Sequence, residues 1–144
     1  MVSSTGDGHI YVVVPLVCWF IDNTQGLQLV IAVATALAIE RPVYLAMKNG
    51  FKRRRPPEVI PGFTGFIEAS DRFSFPSGHT SAAFLFATLY CSLVTVAMAP
   101  LVYTWAILVG FSRVFLGVHF PTDIVIGAML GTTAALLAIS ITMK

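Results

Sequence analysis

Charged residues are scarce in this sequence. Only 11% of its 144 residues are Asp, Glu, Lys or Arg, whereas 56% are hydrophobic. A soluble domain has about 25% charged residues, so this chain lacks the polar surface that keeps a protein in water. The mean hydropathy of +0.82 agrees with this. The composition therefore predicts an integral membrane protein, and the length predicts one domain over residues 1–144.

Cysteine, strand patterns and metal-ligand clusters are equally scarce. The two cysteines, Cys18 and Cys91, lie within apolar runs, where a thiol is more often a packing residue than half of a disulfide. No stretch alternates polar and apolar residues as a strand does. No Cys/His cluster or carboxylate pair has the spacing of a metal site, and no secretory signal pattern opens the chain. From these absences we expect an all-α protein without a metal site.

Long apolar segments are what the sequence has in abundance. Five can be distinguished, at residues 10–21, 27–47, 80–99, 101–117 and 121–143. The first contains Pro15 and is short for a span of about 20 residues. Residues 22–26 predict a turn, and Pro100 marks another. We therefore expect an all-α transmembrane bundle of about five spans, with close packing at the small residues of the last helix. These are Gly127, Ala128, Gly131, Ala134 and Ala135.

Proline and glycine interrupt the chain between residues 49 and 75 and exclude a continuous helix there. Phenylalanines alternate with charges in this stretch, which is typical of a loop among lipid headgroups. We interpret its acidic residues and Arg72 as solvated, with headgroup or substrate contacts as the alternative. The acidic residues are Glu58, Glu68 and Asp71.

Three polar residues outside this loop have two readings each. Glu40 and Arg41, near the end of the second segment, either support a site from behind or lie at the membrane interface. We favour the interface for both. His9 is likewise interpreted as an interfacial residue, because no partner motif surrounds it.

The sequence Phe-Pro-Ser-Gly-His-Thr at residues 75–80 opens the third apolar segment. Ser77 is a suitable helix cap, and His79 falls in the first helical turn. A helix N-terminus collects unpaired N–H groups and the positive end of the helix dipole, which favour a bound anion. The motif therefore predicts an anion site beside a titratable imidazole. The alternative is a capped membrane helix with an interfacial histidine.

Two further motifs flank this helix start. Residues 48–56 read Lys, six residues, Arg-Pro, and residues 112–123 read Ser-Arg, five residues, His, three residues, Asp. Counting membrane crossings places all three motifs at one membrane face. The spacing of His119 and Asp123 can let the carboxylate accept the Nδ1–H of the imidazole, which leaves Nε2 free as a nucleophile.

Together the three motifs resemble the signature motifs of the type 2 phosphatidic acid phosphatase family, membrane lipid phosphatases related to the vanadium haloperoxidases. The resemblance implies that His119 attacks phosphorus to form a phosphohistidine, that His79 protonates the leaving group and that Asp123 orients His119. It implies no metal or other cofactor. The residues that it assigns to phosphoryl binding are Lys48, Arg55, Ser77, Gly78 and Arg113.

The activity that the resemblance implies is hydrolysis of a phosphomonoester or diphosphate of a lipid, of the undecaprenyl diphosphate or phosphatidic acid type. The alternatives are a lipid phosphotransferase that uses the same phosphohistidine and a catalytically silent membrane-interaction subunit. The expected partners are the lipid substrate and the membrane lipids, with no nucleic acid. Since only Arg55 of its basic run fits the motif, Lys52, Arg53 and Arg54 are interpreted as headgroup contacts.

Topology is predicted mainly from the resemblance. Family members commonly have six transmembrane helices, so we expect an N-terminal helix that is common in the family to be absent here. The resemblance implies an inner membrane of the bacterial type, with the active site on the extracytoplasmic face. The positive-inside rule instead places the basic residues 48–55 in the cytoplasm. Some of these charges are catalytic by resemblance, so we follow the resemblance.

Overall fold

The computed structural model describes residues 9–67, 69 and 71–143. Within these residues the ordered elements are helices and no strand is present, which confirms the all-α prediction. The main helices are α1 (Ile10–Ile21), α2 (Asn23–Phe51), α3 (Gly78–Leu93), α4 (Ala99–Phe115) and α5 (Pro121–Thr142). A four-residue helical turn, Pro56–Val59, follows α2, and a 3-10 turn, Val96–Met98, precedes α4.

The junction between α1 and α2 is a single residue. Asp22 accepts hydrogen bonds from the N–H groups of Thr24 (2.9 Å) and Gln25 (3.0 Å), so its carboxylate caps α2. Gly26 lies against the backbone of Trp19, where a Cβ atom would overlap that backbone. The predicted turn over residues 22–26 is therefore wrong beyond Asp22, because the cap starts a helix within a loop-like sequence.

Two other predicted boundaries move. Helix α2 continues through Pro42 and ends at Phe51, beyond the predicted end at residue 47, and Lys52 then adopts a left-handed conformation with φ of 47°. Pro100 lies in the first turn of α4, where the N–H that proline lacks would be unpaired in any case. The turn before α4 is consequently formed by residues 94–98 rather than at Pro100.

Helices α3 and α5 pack with their backbones in contact. A Cβ atom at Gly127 would lie 2.6 Å from the carbonyl oxygen of Ser77, and one at Gly131 would overlap the carbonyl of Ser81. Ala134 and Ala135, further along α5, are buried in the apolar core. The prediction that small residues of the last helix allow close packing is confirmed, and this packing holds the start of α3 beside the start of α5.

Three helical segments in the described part of the chain are long and apolar enough to cross a membrane: Asn23–Val59, which contains α2, Val96–Phe115, which contains α4, and Pro121–Thr142, which is α5. Helix α1 has 12 residues and α3 has 16, fewer than the roughly 20 of a straight span. Large apolar side chains are exposed on the outside of the bundle, among them Phe20 (89%) and Phe115 (75%). The fold is a membrane-spanning helical bundle whose outer surface suits lipid chains.

Candidate active site

Four helix ends meet at one end of the bundle. The N–H of Ser77 donates to the carbonyl of Asp123 (3.0 Å), which joins the starts of α3 and α5. Arg55, after α2, donates from Nη1 to the carbonyl of Val118, after α4. The three sequence motifs therefore lie together, as the count of membrane crossings predicts.

A cavity of about 360 Å³ opens between these helix ends. Six residues of the predicted site line it: Lys48, Arg55, Gly78, His79, Arg113 and His119. The two others, Ser77 and Asp123, are fully buried behind the wall. Other lining residues are Tyr11, Leu37, Glu40, Arg41, Tyr44, Asp71 and Ala82. The cavity thus combines cations and two imidazoles with an apolar part.

Ser77 acts as the helix cap that the sequence predicts. Its hydroxyl accepts from the N–H of Thr80 (3.4 Å) and lies 2.9 Å from the Thr80 hydroxyl. Because its own N–H is bonded to Asp123, the polar groups of Ser77 are engaged within the protein. The predicted contact between Ser77 and phosphate is not tested by these bonds and stays a prediction. Gly78 does line the cavity, and a Cβ atom at this position would lie only 3.1 Å from the Tyr44 hydroxyl oxygen.

His119 lies in the short segment between α4 and α5 and is 4% exposed. Its Nδ1 is 3.6 Å from Oδ2 of Asp123, slightly longer than a hydrogen bond. Burial lowers the pKa of His119, and the charges of Arg55 and Arg113 lower it further against the opposing effect of Asp123. The imidazole is therefore neutral near pH 7, which is the form that a nucleophile needs.

Asp123 also pairs with a cation, Arg53, for which the sequence predicts a headgroup contact instead. Nη1 of Arg53 donates to Oδ1 of Asp123 (2.8 Å) and to the Thr122 hydroxyl (2.6 Å), and its guanidinium lies 4.2 Å from the centre of the Phe120 ring. The other oxygen of Asp123 accepts from the N–H of Phe120 (2.8 Å). The headgroup interpretation of Arg53 misses this contact, which supplies the charge partner that a fully buried carboxylate requires. Lys52 and Arg54 are exposed.

Asp71 also has contacts that the sequence does not predict. Its carboxylate accepts hydrogen bonds from Lys48 Nζ and Arg55 Nη2 and, at 3.2 Å, from the Tyr44 hydroxyl. Lys48 also donates to Tyr44. Burial alone would raise the pKa of Asp71, but its bonds and charge contacts with Lys48 and Arg55 outweigh burial and lower it. Asp71 is therefore an ionised member of the cavity wall that is also accessible to water, and the prediction of a solvated loop charge misses only its contacts with the two cations.

Glu40 is also part of the site's support. It is 2% exposed, and its Oε1 accepts a hydrogen bond of 2.6 Å from the Ser81 hydroxyl of α3. The interfacial interpretation of Glu40 is wrong, since a carboxylate that lies inside the bundle needs a donor. Arg41 is exposed but also lines the cavity, with its guanidinium 5.6 Å from the centre of the Tyr44 ring.

The remaining polar predictions are less informative about the cavity. Glu58 and Arg72 are exposed, in agreement with a solvated loop, and His9 is exposed at the start of α1. Cys18 and Cys91 are free thiols, and both are partly buried. Cys18 packs against the apolar core. Glu68 and the polar residues 1–8 lie outside the described residues.

Comparison with known proteins agrees with this geometry. Residues 25–144 match the family model described as the PAP2 superfamily. The chain belongs to the PAP2 superfamily. This confirms the resemblance that the three motifs indicate, since that superfamily is the one containing the type 2 phosphatidic acid phosphatases.

Two curated relatives carry phosphatase names. The chain is 36% identical over 129 residues to a putative undecaprenyl-diphosphatase of Escherichia coli, covering 88% of this chain and 65% of that protein. It is 41% identical over 83 residues to phosphatidylglycerophosphatase B of Bacillus subtilis, covering 51% of this chain and 40% of the relative. The chain thus spans less than two thirds of the length of these relatives.

Two solved structures share the fold. The crystal structure of Aquifex aeolicus LpxE superposes with a TM-score of 0.83 at 23% identity, covering 96% of this chain and 81% of the other. A transmembrane PAP2-type phosphatidylglycerolphosphate phosphatase from Bacillus subtilis gives a TM-score of 0.75 at 26% identity, covering 99% and 74%. The bundle is therefore a PAP2 fold over nearly its whole length.

Proposed function

We propose that this protein is a membrane lipid phosphatase that hydrolyses a phosphomonoester or diphosphate of a lipid. The observation that carries the proposal is the convergence of two imidazoles and three cations from three separate motifs on one cavity. Phosphoryl transfer depends mainly on positioning and on stabilisation of charge. Lys48, Arg55 and Arg113 supply the charge, and the start of α3 lines the same cavity.

The substrate that we favour has an apolar part next to the phosphoryl group. Leu37, Ala82 and Tyr11 line the same cavity as the charged residues, so an apolar chain attached to the leaving oxygen has a suitable surface. The names of the relatives, undecaprenyl-diphosphatase and phosphatidylglycerophosphatase, support lipid substrates of two kinds. Undecaprenyl diphosphate and lipids of the phosphatidic acid type are the candidates.

The proposed reaction has two steps. In the first, Nε2 of His119 forms a bond to phosphorus while the bond to the leaving oxygen breaks, and His79 gives that oxygen a proton. In the second, His79 takes a proton from water, the water oxygen attacks phosphorus, and the P–N bond breaks to restore His119. Asp123, 3.6 Å from Nδ1, orients the imidazole and stabilises its charge.

The test is phosphate release by the purified full chain from a panel of lipid monophosphates and diphosphates. We expect turnover of at least one lipid, and loss of that turnover in His119→Ala. Lack of turnover over the whole panel would overturn the proposal and favour a catalytically silent subunit. Lipid consumption without free phosphate, but with a phosphorylated acceptor, would indicate a phosphotransferase.

Orientation is part of the proposal. We place the cavity on the extracytoplasmic face of a bacterial-type inner membrane. Thr64 is exposed in the loop beside the cavity, so a cysteine at that position should react with a membrane-impermeant reagent in intact cells. The parent without this substitution controls for Cys18 and Cys91. Labelling only after lysis would place the cavity in the cytoplasm.

A further inference from the structure

The carboxylate of Asp71 lies between two of the proposed phosphate ligands. Its Oδ2 accepts from Lys48 Nζ and the Tyr44 hydroxyl, and its Oδ1 accepts from Arg55 Nη2. A carboxylate and a phosphoryl group offer the same kind of negatively charged oxygen pair to these donors. Asp71 therefore forms the contacts with Lys48 and Arg55 that phosphoryl oxygens would otherwise form.

The donors of Arg55 are nearly all engaged. An arginine side chain has five N–H donors. In the structure Nε donates to the Asp71 carbonyl (3.1 Å), Nη1 to the Val118 carbonyl (2.5 Å), and Nη2 to the Phe73 carbonyl (3.0 Å) and the Asp71 carboxylate. Three of these acceptors belong to the backbone, whereas the fourth can leave by rotation of a side chain. A two-bond contact between Arg55 and a phosphoryl group thus requires Asp71 to move.

Asp71 is the exposed partner in this arrangement. Its side chain is 42% exposed, whereas the side chains of Lys48 and Arg55 are 8% and 9% exposed. A carboxylate with this access to water regains hydration when it leaves, but the buried cations do not. Departure of Asp71 without a replacement would leave two buried positive charges uncompensated, which disfavours an empty site.

We propose that Asp71 is an internal competitor for the phosphate ligands. Its carboxylate neutralises Lys48 and Arg55 while no phosphoryl group is bound, and it turns outward when one enters. The inference rests on the proposed function of the site. Such competition lowers the affinity for a phosphoryl group, because the group can bind only during the fraction of time that Lys48 and Arg55 are free of Asp71. A lipid substrate has additional binding through its apolar part, but inorganic phosphate does not, so the product leaves readily.

The test measures the Kd of inorganic phosphate for the purified full chain, from the dependence of Tm on phosphate concentration. The variant Asp71→Asn keeps the size of the side chain and removes its charge. Since a neutral amide competes poorly for two cations, we expect the Kd of phosphate to be at least about tenfold lower in Asp71→Asn than in the unmodified protein. The matched control is Asp22→Asn at the opposite end of α2, because asparagine preserves a helix cap.

A Kd that is unchanged or higher in Asp71→Asn would overturn the proposal. Asp71 would then only hold the two cations in position. If this variant does not fold, Tyr44→Phe takes its place, because it removes a donor that holds Asp71 without changing any charge. We then expect a Kd that is at least about twofold lower. An unchanged or higher Kd would again overturn the proposal.

The same preparation of the unmodified protein is assayed on lipid phosphates. If the unmodified protein turns over a lipid phosphate but the Kd is unchanged in Asp71→Asn, the role of Asp71 is contradicted and the proposed function is not. Absence of both turnover and phosphate binding would contradict the proposed function, and the inference would fail with it.

Discussion

Two aspartates neutralise cations in this site, and they differ in how firmly they are held. Asp123 is fully buried, caps the start of α5 through the N–H of Phe120 and pairs with Arg53. The Asp71 side chain is 42% exposed and accepts from three side chains, those of Lys48, Tyr44 and Arg55. Burial and a backbone hydrogen bond fix the carboxylate of Asp123, whereas the exposed carboxylate of Asp71 can exchange its partners for water.

The site can accordingly be divided into two parts. We call His119, Asp123 and Arg53 the nucleophile side, and Lys48, Arg55 and Asp71 the cradle side. The nucleophile side should tolerate no change of geometry, because a reacting nitrogen must be held in line with the bond that breaks. The cradle side should adapt to the ligand that enters. Substitutions on the two sides should therefore differ in how strongly they affect the rate.

Removal of the nucleophile should have the largest effect. His119→Ala should lower kcat by on the order of 10³-fold or more on every substrate, because no other group replaces the attacking nitrogen. The measurement is phosphate release, with circular dichroism to show that the helices remain. Robust turnover by a folded His119→Ala protein would contradict the assignment of the nucleophile side.

Removal of the proton donor should have a large effect that depends on the substrate. General acid catalysis contributes about 10²- to 10⁴-fold, so His79→Ala should be strongly impaired on a lipid phosphate. A nitrophenyl phosphate has a leaving group that departs without a proton, and part of the lost rate should return. Assays of both substrates in parallel test this, and an equal proportional loss on both would remove this role from His79.

A cation of the cradle side should matter less than either histidine does on a lipid phosphate. Arg55→Ala should cost on the order of 10²-fold in kcat/KM, as expected when one charged donor is lost from a preorganised site. The matched control is Arg54→Ala, whose side chain is exposed beside it. Equal activities of the two variants would show that the basic run has been aligned incorrectly with the motif.

Loss of Arg53 should affect the nucleophile side without touching the phosphate ligands. Arg53→Gln removes the charge partner of Asp123, and we expect about a tenfold loss of kcat. The uncompensated carboxylate should also favour the protonated form of His119, so its pKa should rise. The acid side of the pH profile would then move to higher pH. A lower rate with an unmoved profile would indicate a purely structural role.

The smallest effect concerns the unmodified protein. Attack requires neutral His119, whose pKa is lowered by burial and by Arg55 and Arg113 against Asp123. As the pH falls through this lowered pKa, kcat/KM should fall. The midpoint of that decline should therefore lie below the ordinary histidine value of about 6.5. A midpoint above that value in a pH series of initial rates would contradict the environment described for His119.

The sequence predicts one part of this architecture much better than the other. Helix starts depend on local chemistry, so the cap at Ser77 and the pair His119 and Asp123 follow from spacing alone. The contacts of Arg53 with Asp123 and of Glu40 with Ser81 join residues 70 and 41 positions apart. No local pattern signals such contacts, because they depend on how the helices pack and on the path of the loop.

The loop after α2 illustrates the same limit. Its proline and glycine content predicts irregular structure, but composition does not say which charge turns inward. Asp71 contacts Lys48 across 23 positions and Arg55 across 16. The only signal in the sequence is that the two inward cations, once recognised from their motif, require an anion when no substrate is bound.

The proposed mechanism requires that His119 carries the phosphoryl group during turnover. Rapid quenching of the full chain with a lipid substrate labelled at phosphorus tests this requirement. We expect label on the protein that survives alkali and is lost in acid, as expected of a phosphohistidine, and no label in His119→Ala. Turnover without any labelled protein, or label that persists in His119→Ala, would contradict it.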